Sequence, residues 1–379
     1  MENPPDSVVA LAQALVRIPS VNPDGEPGVT DTGEQACAEY VGRFLQAAGA
    51  AVSYDEVLPG RPNVIGRFPT SAAGKPRLLF APHTDTVSVA GMSIDPFGGE
   101  LREGRLWGRG ASDTKGPMAA MLWALWELRH RIADLPVEIH FAGFMSEESA
   151  QLGSRHFAQH HGRYDLALVA EPTGLQVVHQ HKGCLWADVH TTGRSAHGAR
   201  PELGENAITK MGRLLGALDS DFRQRLADLS GDNPWLTPST INLSMIRGGS
   251  RSNIVPDACT LRCDIRTTPG LEAHGGALKL LADFVAEQDA TARVEVATQA
   301  FALDTDAALP LVQRLLATGA TLAGAPWFCD AAFLAAAGTP AVAIGPGSIE
   351  QAHTQDEFIA IQDLELGATF FRRFLESWI

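Results

Sequence analysis

The chain has 379 residues, 45% of them hydrophobic and 20% charged, with a formal net charge of -14. This composition supplies a sizeable core and argues against a disordered chain and against nucleic acid as the main partner. The length suggests two domains, or one domain carrying a large insertion.

The five cysteines, Cys37, Cys184, Cys259, Cys263 and Cys329, are odd in number and form no CxxC pair, so no disulfide framework is expected. No basic segment leads into a long apolar run near the start, and no stretch approaches about 18 uninterrupted apolar residues. The expectation is therefore a chain without signal peptide or membrane partner, working in the cytoplasm.

In chain order, Val8, Leu11, Ala12 and Leu15 lie at helical spacing and predict a helix over about 7–17, before a turn-rich loop from Pro19 to Gly28. Thr32-Gly33-Glu34-Gln35 reads as a capping box for a second helix. Its apolar face is Cys37, Tyr40, Val41, Phe44, Leu45 and Ala48, with Gly49 as the stop. Short strands over 52–54 and 63–66 precede the buried-strand run Leu78 to Ala81, which Pro82 ends. His83 and Asp85 follow, two residues apart, so an extended backbone sends both side chains to one face. An imidazole is a good ligand for zinc and related metals, and a nearby carboxylate can fix its tautomer.

The glycine-punctuated stretch Leu106 to Gly116 runs into a helix over about 117–130 that is apolar nearly all round. Pro117 is expected at its first position, and Asp113 just before its N-terminus. A strand over 137–144 leads to Glu147 and Glu148, and a strand over 166–170 leads to Glu171. Three apolar strands thus end in His and Asp, in paired Glu, and in Glu, which argues for one shared site.

The pattern then changes. Alternation over 184–192, 239–246 and 257–266 predicts strands, the last with Cys259, Leu261, Cys263 and Ile265 on one face and Arg266 on the other. Helices are expected over 206–229, with Ile208, Met211, Leu214, Leu215 and Leu218 as the apolar stripe, and over 271–287, before a strand over 294–296. The order βαββαβ is the ferredoxin-like arrangement, inserted over about 178–298. The α/β pattern resumes with helices over 309–317 and 331–337 and a strand over 341–344. Gly345-Pro346-Gly347-Ser348 and His353 come next, then a final amphipathic helix with Phe370, Phe371, Phe374, Leu375 and Trp378.

The strand-end groups His83, Asp113, Glu148, Glu171 and His353, with Asp85 and Glu147 alongside, can hold two divalent ions if one carboxylate bridges them. Such a pair can activate water and polarise a carbonyl, while a carboxylate that binds no metal takes the proton. Nitrogen and oxygen donors without thiolate suit zinc, cobalt or manganese.

These segments resemble, in order and over nearly the whole chain, the M20 metallopeptidase/deacylase family. They are His83-Thr84-Asp85-Thr86-Val87, Gly108-Arg109-Gly110-Ala111-Ser112-Asp113-Thr114-Lys115-Gly116, Glu147-Glu148, Glu171-Pro172-Thr173, and Gly345-Pro346-Gly347 with His353. The resemblance implies an α/β, zinc-exopeptidase-like catalytic domain formed by 1–177 and 299–379. It also implies an inserted α+β ferredoxin-like lid and dimerisation domain over 178–298. Two divalent metal ions are implied, zinc first and cobalt or manganese as alternatives. Asp113 would bridge them, His83 and Glu171 would complete one site, and Glu148 and His353 the other. Asp85 would orient His83, and Glu147 would be the general base and then the acid.

His197, in Gly193-Arg194-Ser195-Ala196-His197-Gly198, resembles the lid histidine that reaches the partner subunit's site and stabilises the oxyanion. That implies a homodimer. Asn253 and Arg266 resemble residues that hold the substrate's polar groups, and with the Gly347 loop they are expected to read a substrate carboxylate. Glu171 to Gln176, His181-Lys182-Gly183 and Gly345 to Ile349 with Gln351-Ala352-His353 resemble the acetylornithine deacetylase branch. Such segments recur in succinyl-diaminopimelate desuccinylases, glutamate-releasing carboxypeptidases and aminoacylases. Ser149-Ala150 departs from the family, where a glycine is frequent. The expected activity is removal of an acyl group from a small N-acyl amino acid. Its alternatives are a carboxypeptidase or dipeptidase acting on small peptides, or a desuccinylase, at the same centre. A binding protein that had lost catalysis would have no need of Glu147.

Overall fold

The computed structural model describes residues 5–24, 32–71 and 74–378. These form two compact units: one runs up to His179 and returns as Thr305–Ala323 and from Cys329 onward, the other is Gln180–Asp304 with Gly324–Phe328. The ferredoxin-like insertion was expected over 178–298.

The sheet of the first unit places its strands in the order Ala51–Leu58, Arg61–Arg67, Glu138–Gly143, Arg77–Ala81, Leu166–Val169, Ala341–Ala343 and Val177–His181. Arg77–Ala81 pairs in parallel with both Glu138–Gly143 and Leu166–Val169. The register Phe80 to Phe141 and Phe80 to Leu168 brings three strand ends level. The pairing continues beyond the strands, where Thr84 N–H donates to Phe144 O at 2.7 Å and Ala170 N–H to Ala81 O at 3.3 Å. Pro82 to Asp85, Met145 to Glu148 and Glu171 therefore leave the sheet side by side. Strands covered on both faces read as continuous apolar runs, which is why Leu78 to Ala81 shows no alternation.

Helices Val8–Val16, Gln35–Ala47, Lys115–Leu128 and Ile361–Glu376 contribute to one core with the sheet. Lys115–Leu128 is buried nearly all round, as its apolar circumference requires. Phe80 meets Phe371 edge-on at 6.0 Å between ring centroids. Gly49 ends Gln35–Ala47 at a φ of +95°, a left-handed position that favours glycine.

Several local expectations are corrected. Thr32 does not cap helix Gln35–Ala47; Glu34 occupies the cap position and makes no side-chain capping bond, because its carboxylate is held by Arg61. The helix after Asp113 starts at Lys115, so Pro117 is its third residue. Glu100–Arg102, Arg105–Trp107 and Phe358–Ala360 form a small antiparallel sheet; runs of three residues are too short to show a period. Part of the expected loop from Pro19 to Gly28 lies outside the described residues.

The second unit carries four antiparallel strands in the order Thr240–Gly248, Ala258–Thr267, Gly183–Thr192, Arg293–Ala300. Ala207–Ala217 with Arg223–Leu229, and Gly276–Gln288, are its helices, in the chain order βαββαβ. Cys259, Leu261, Cys263 and Ile265 are buried on one face. Ile208 is exposed; the buried stripe is Ala207, Met211, Leu214 and Leu218, one position out of phase with it. No described helix is long and apolar enough to cross a membrane.

Candidate active site

The level strand ends bring the acidic and imidazole groups together. His83 is buried, with Nδ1 2.9 Å from the Asp85 backbone oxygen and 3.5 Å from its Oδ1, and Nε2 3.1 Å from Asp113 Oδ1. His83 is therefore oriented at least as much by the Asp85 carbonyl as by the carboxylate expected to do so. That carboxylate accepts the backbone N–H groups of Glu147 and Glu148, each at 3.0 Å, and Asn22 Nδ2 at 2.8 Å. Asp113 is set by its loop: the buried Glu357 carboxylate accepts from Gly110 N, Ser112 N, Asp113 N and Arg109 Nη1 at 2.6–3.1 Å. His353 Nε2 lies 3.4 Å from Asp113 Oδ2 and 3.1 Å from Glu148 Oε2.

Three sets of side chains offer ligand atoms within 4.8 Å of one another: His83, Asp113 and Glu171; Asp113, Glu148 and His353; and His83, Glu147 and Glu148. Asp113 belongs to the first two, and turns Oδ1 to His83 and Oδ2 to His353. Glu148 Oε1 and Glu171 Oε1 are buried and have no hydrogen-bond partner among the described residues.

The electrostatics follow from crowding acids away from water. Burial pushes the Glu147 carboxyl well above its ordinary value, and the charges of Glu171, Asp330 and Glu148 push the same way. Burial and the charge of Asp113 raise Glu148 to about 7 and Glu171 well above normal. Burial opposes ionisation of Asp113 as well, yet its contacts with His353 and His83 hold it below the usual range. Those contacts with Asp113 and Glu148 raise His353 to about 10. Buried carboxylates that repel one another and keep unpartnered oxygens hold protons unless cations offset their charge. The nitrogen and oxygen donors around Asp113 fit a divalent ion in each of the first two sets.

The sequence pattern of Peptidase family M20/M25/M40 matches residues 79–377, which include every member of the three ligand sets. The chain belongs to that family. It is 30% identical to the acetylornithine deacetylase of Proteus mirabilis over 98% of this chain and 96% of that one. It is 31% identical to the acetylornithine deacetylase of Vibrio vulnificus over 88% and 89% of the two chains. The fold matches the aminopeptidase PepT of Bacillus cereus with a TM-score of 0.77, at 21% identity and 98% coverage of both chains. M20 membership and these relatives make the chain a metal-dependent hydrolase of amide bonds.

His197, Asn253 and Arg266 belong to the second unit. There the exposed His197 pairs with Ile254, and Gly198 N–H donates to Asn253 O at 2.8 Å, so His197 and Asn253 are neighbours. Ala199 N–H donates to His197 Nδ1 at 3.1 Å, which leaves the ring proton of the neutral imidazole on Nε2. Arg266 is engaged by Asp264, with Nε 3.0 Å from Oδ1 and Nη2 3.1 Å from Oδ2. Gly347, in the first unit, has a φ of +91°, and a Cβ there would meet Ile359 and Ser112 at 3.1–3.2 Å.

Sequence reasoning missed Asn22, Glu357 and Asp330. Asn22 acts through the side chains of Asp85 and Ser149, and Glu357 through the backbone of a distant loop, roles with no local signature. Asp330 is buried at the start of helix Ala331–Ala336, where an acid reads as an ordinary helix-start residue. Its Oδ1 accepts from Ser154 Oγ at 2.5 Å, and burial raises it to about 7.

Proposed function

We propose that the chain is a dinuclear metal-dependent deacylase that removes the acyl group from a small N-acyl amino acid, with the specificity of an acetylornithine deacetylase. The observation that carries this reading is the run of relatives of that name, aligned over nearly the whole of both chains. Asp113 would serve both ions, His83 and Glu171 would complete one site, and Glu148 and His353 the other. The two ligand sets sharing Asp113, and the unpartnered oxygens of Glu148 and Glu171, support this assignment. Zinc is the first choice of metal, with cobalt or manganese able to use the same donors. When bound, the ions supply Lewis-acid polarisation of the amide carbonyl and a lowered pKa for water.

Glu147 takes the proton of the attacking water and delivers it to the departing nitrogen, so that amide and water become carboxylic acid and amine. Its backbone N–H is fixed on Asp85, which supports a defined direction for its side chain. His197 donates from Nε2 to the developing oxyanion, in the site of the partner subunit of a homodimer. Arg266, Asn253 and the Gly347 loop hold the substrate carboxylate. All five cysteines are free and buried, which supports a reducing, cytoplasmic setting.

The decisive experiment is a hydrolysis screen with zinc or cobalt. It compares N-acetylornithine, N-succinyl-diaminopimelate, other acyl amino acids and dipeptides. Highest kcat/KM on N-acetylornithine supports the proposal; preference for a dipeptide or a succinyl substrate replaces it with a peptidase or desuccinylase at the same centre.

A further inference from the structure

The turn that carries Glu147 and Glu148 is held in an unfavourable backbone shape. Ser146 has a φ of +65° and Gln151 a φ of +50°, and neither is glycine. Such residues persist where the surroundings over-determine them, and they cluster at sites where geometry matters. Here the two left-handed residues bracket the paired acids.

A charge network, buried at Arg61 and Glu34, reaches this turn from outside the ligand set. Arg61, on strand Arg61–Arg67, donates from Nη2 to Glu34 Oε1 at 2.6 Å, from Nε to Glu34 Oε2 at 2.8 Å and from Nη1 to Asp24 Oδ2 at 2.8 Å. Glu34 is fully buried, and its Oε1 also accepts the backbone N–H of Ser146 at 3.2 Å. Asp24 Oδ2 accepts from Ser149 Oγ at 3.3 Å, and Ser149 Oγ lies 2.8 Å from Ser146 Oγ. Asn22 Nδ2 donates to both Ser149 Oγ, at 3.1 Å, and Asp85 Oδ2, at 2.8 Å. Gln151 closes the far side, its Nε2 donating to Glu147 O at 2.7 Å. Ser149 is a junction in this network.

We propose that Arg61 is a positioning residue for Glu147: through Glu34 it holds the left-handed backbone of Ser146 and so sets the direction in which the next residue leaves the strand. This rests on the reading of Glu147 as the general base. A guanidinium suits the task because its planar fork grips both Glu34 oxygens and still reaches Asp24, which an ammonium cannot do at once. Remove the fork and Glu34 loses the partner that keeps its carboxylate aimed at Ser146 N. The turn then relaxes, and a base displaced by about 1 Å loses on the order of 10²-fold in rate.

The test is a double-mutant cycle on the metal-loaded enzyme. Arg61→Met is expected to lower kcat about 10- to 100-fold with KM nearly unchanged, and Arg61→Lys to lower it less. In the Glu147→Gln background the same Arg61→Met change should cost less than about threefold, because the group it positions is gone. Metal content per chain should stay at the wild-type value, and amide exchange across 145–151 should accelerate. The proposal is overturned if Arg61→Met costs the same factor in both backgrounds, or leaves kcat and amide exchange unchanged. If Arg61→Met does not fold, Arg61→Lys carries the same cycle, judged by the same criteria. Glu147→Gln by itself tests the underlying reading: near-normal kcat there would remove the base assignment whatever Arg61 does.

Discussion

Glu148 and Glu171 in the first unit each keep a buried oxygen with no hydrogen-bond partner, whereas Arg262 and Arg266 in the second unit are each paired with a nearby carboxylate. Arg262 grips Asp188 with two hydrogen bonds of 2.6–2.7 Å, and Arg266 is held by Asp264. Partly exposed pairs of this kind keep water nearby and contribute little to stability. Buried acids without counter-charges are costly, and they persist where something outside the chain supplies the positive charge. The contrast separates buried carboxylates suited to cations from partly exposed charges already paired within the second unit.

The largest expected effect breaks the first region outright. Stripping divalent ions with a chelator should abolish hydrolysis, and zinc or cobalt should restore it; full activity in protein shown metal-free by elemental analysis would refute the metal assignment. The stripped chain should also show the cost of its crowded acids. Glu148 titrates at about 7 in the fold against an ordinary 4.5, and His353 at about 10 against 6.5. Both bind protons that the unfolded chain releases, so stability falls as pH rises, from about 4.5 to 7 for the first and 6.5 to 10 for the second. Thermal melts at pH 5 and pH 8 should show the ions raising Tm more at pH 8.

A smaller loss sharpens the first region without emptying it. Glu147→Gln should keep the metals and lower kcat by about 10²- to 10⁴-fold, the usual range for a general acid–base group. Metal content at the wild-type value with unchanged kcat would put the base elsewhere.

The second region is tested through the proton on His197 Nε2. His197→Ala should lower kcat by about 10²- to 10³-fold, the size of a lost oxyanion donor. Mixing His197→Ala subunits with Glu147→Gln subunits should recover part of the activity, since one composite site per mixed dimer stays whole. No recovery after verified subunit exchange counts against a shared site.

Arg266 should give the smallest effect, because a substrate carboxylate must compete with Asp264 for the guanidinium. Arg266→Ala should reduce kcat/KM about tenfold for a free-acid substrate, within the net worth of a charged hydrogen bond. The matching carboxamide should be nearly unaffected. Equal losses on both would make the Asp264 pair structural and remove the carboxylate reading.

Much of the first unit was legible before folding. Leu78 to Ala81 is a strand because four consecutive apolar residues followed by proline suit few other states, and the helix after Asp113 is buried because it is apolar all round. The second unit was legible for the same kind of reason, since strict alternation over Cys259 to Ile265 can bury only one face. Where local pattern and tertiary demand competed, tertiary demand won. Glu34 looks like part of a capping box until Arg61, 27 residues away in sequence, claims both its oxygens.

By itself the sequence determined which residue types end each apolar strand and which family the motifs resemble, because periodicity and short motifs are written in neighbouring residues. Only the tertiary structure decided that those strand ends stand level, that Asp113 faces His83 with one oxygen and His353 with the other, and that Glu357, Asn22 and Glu34 hold the loops beneath them. Parallel pairing joins segments tens of residues apart, and a carboxylate accepting backbone N–H groups needs no particular neighbour in the chain. Arrangements of that kind leave no local pattern to read.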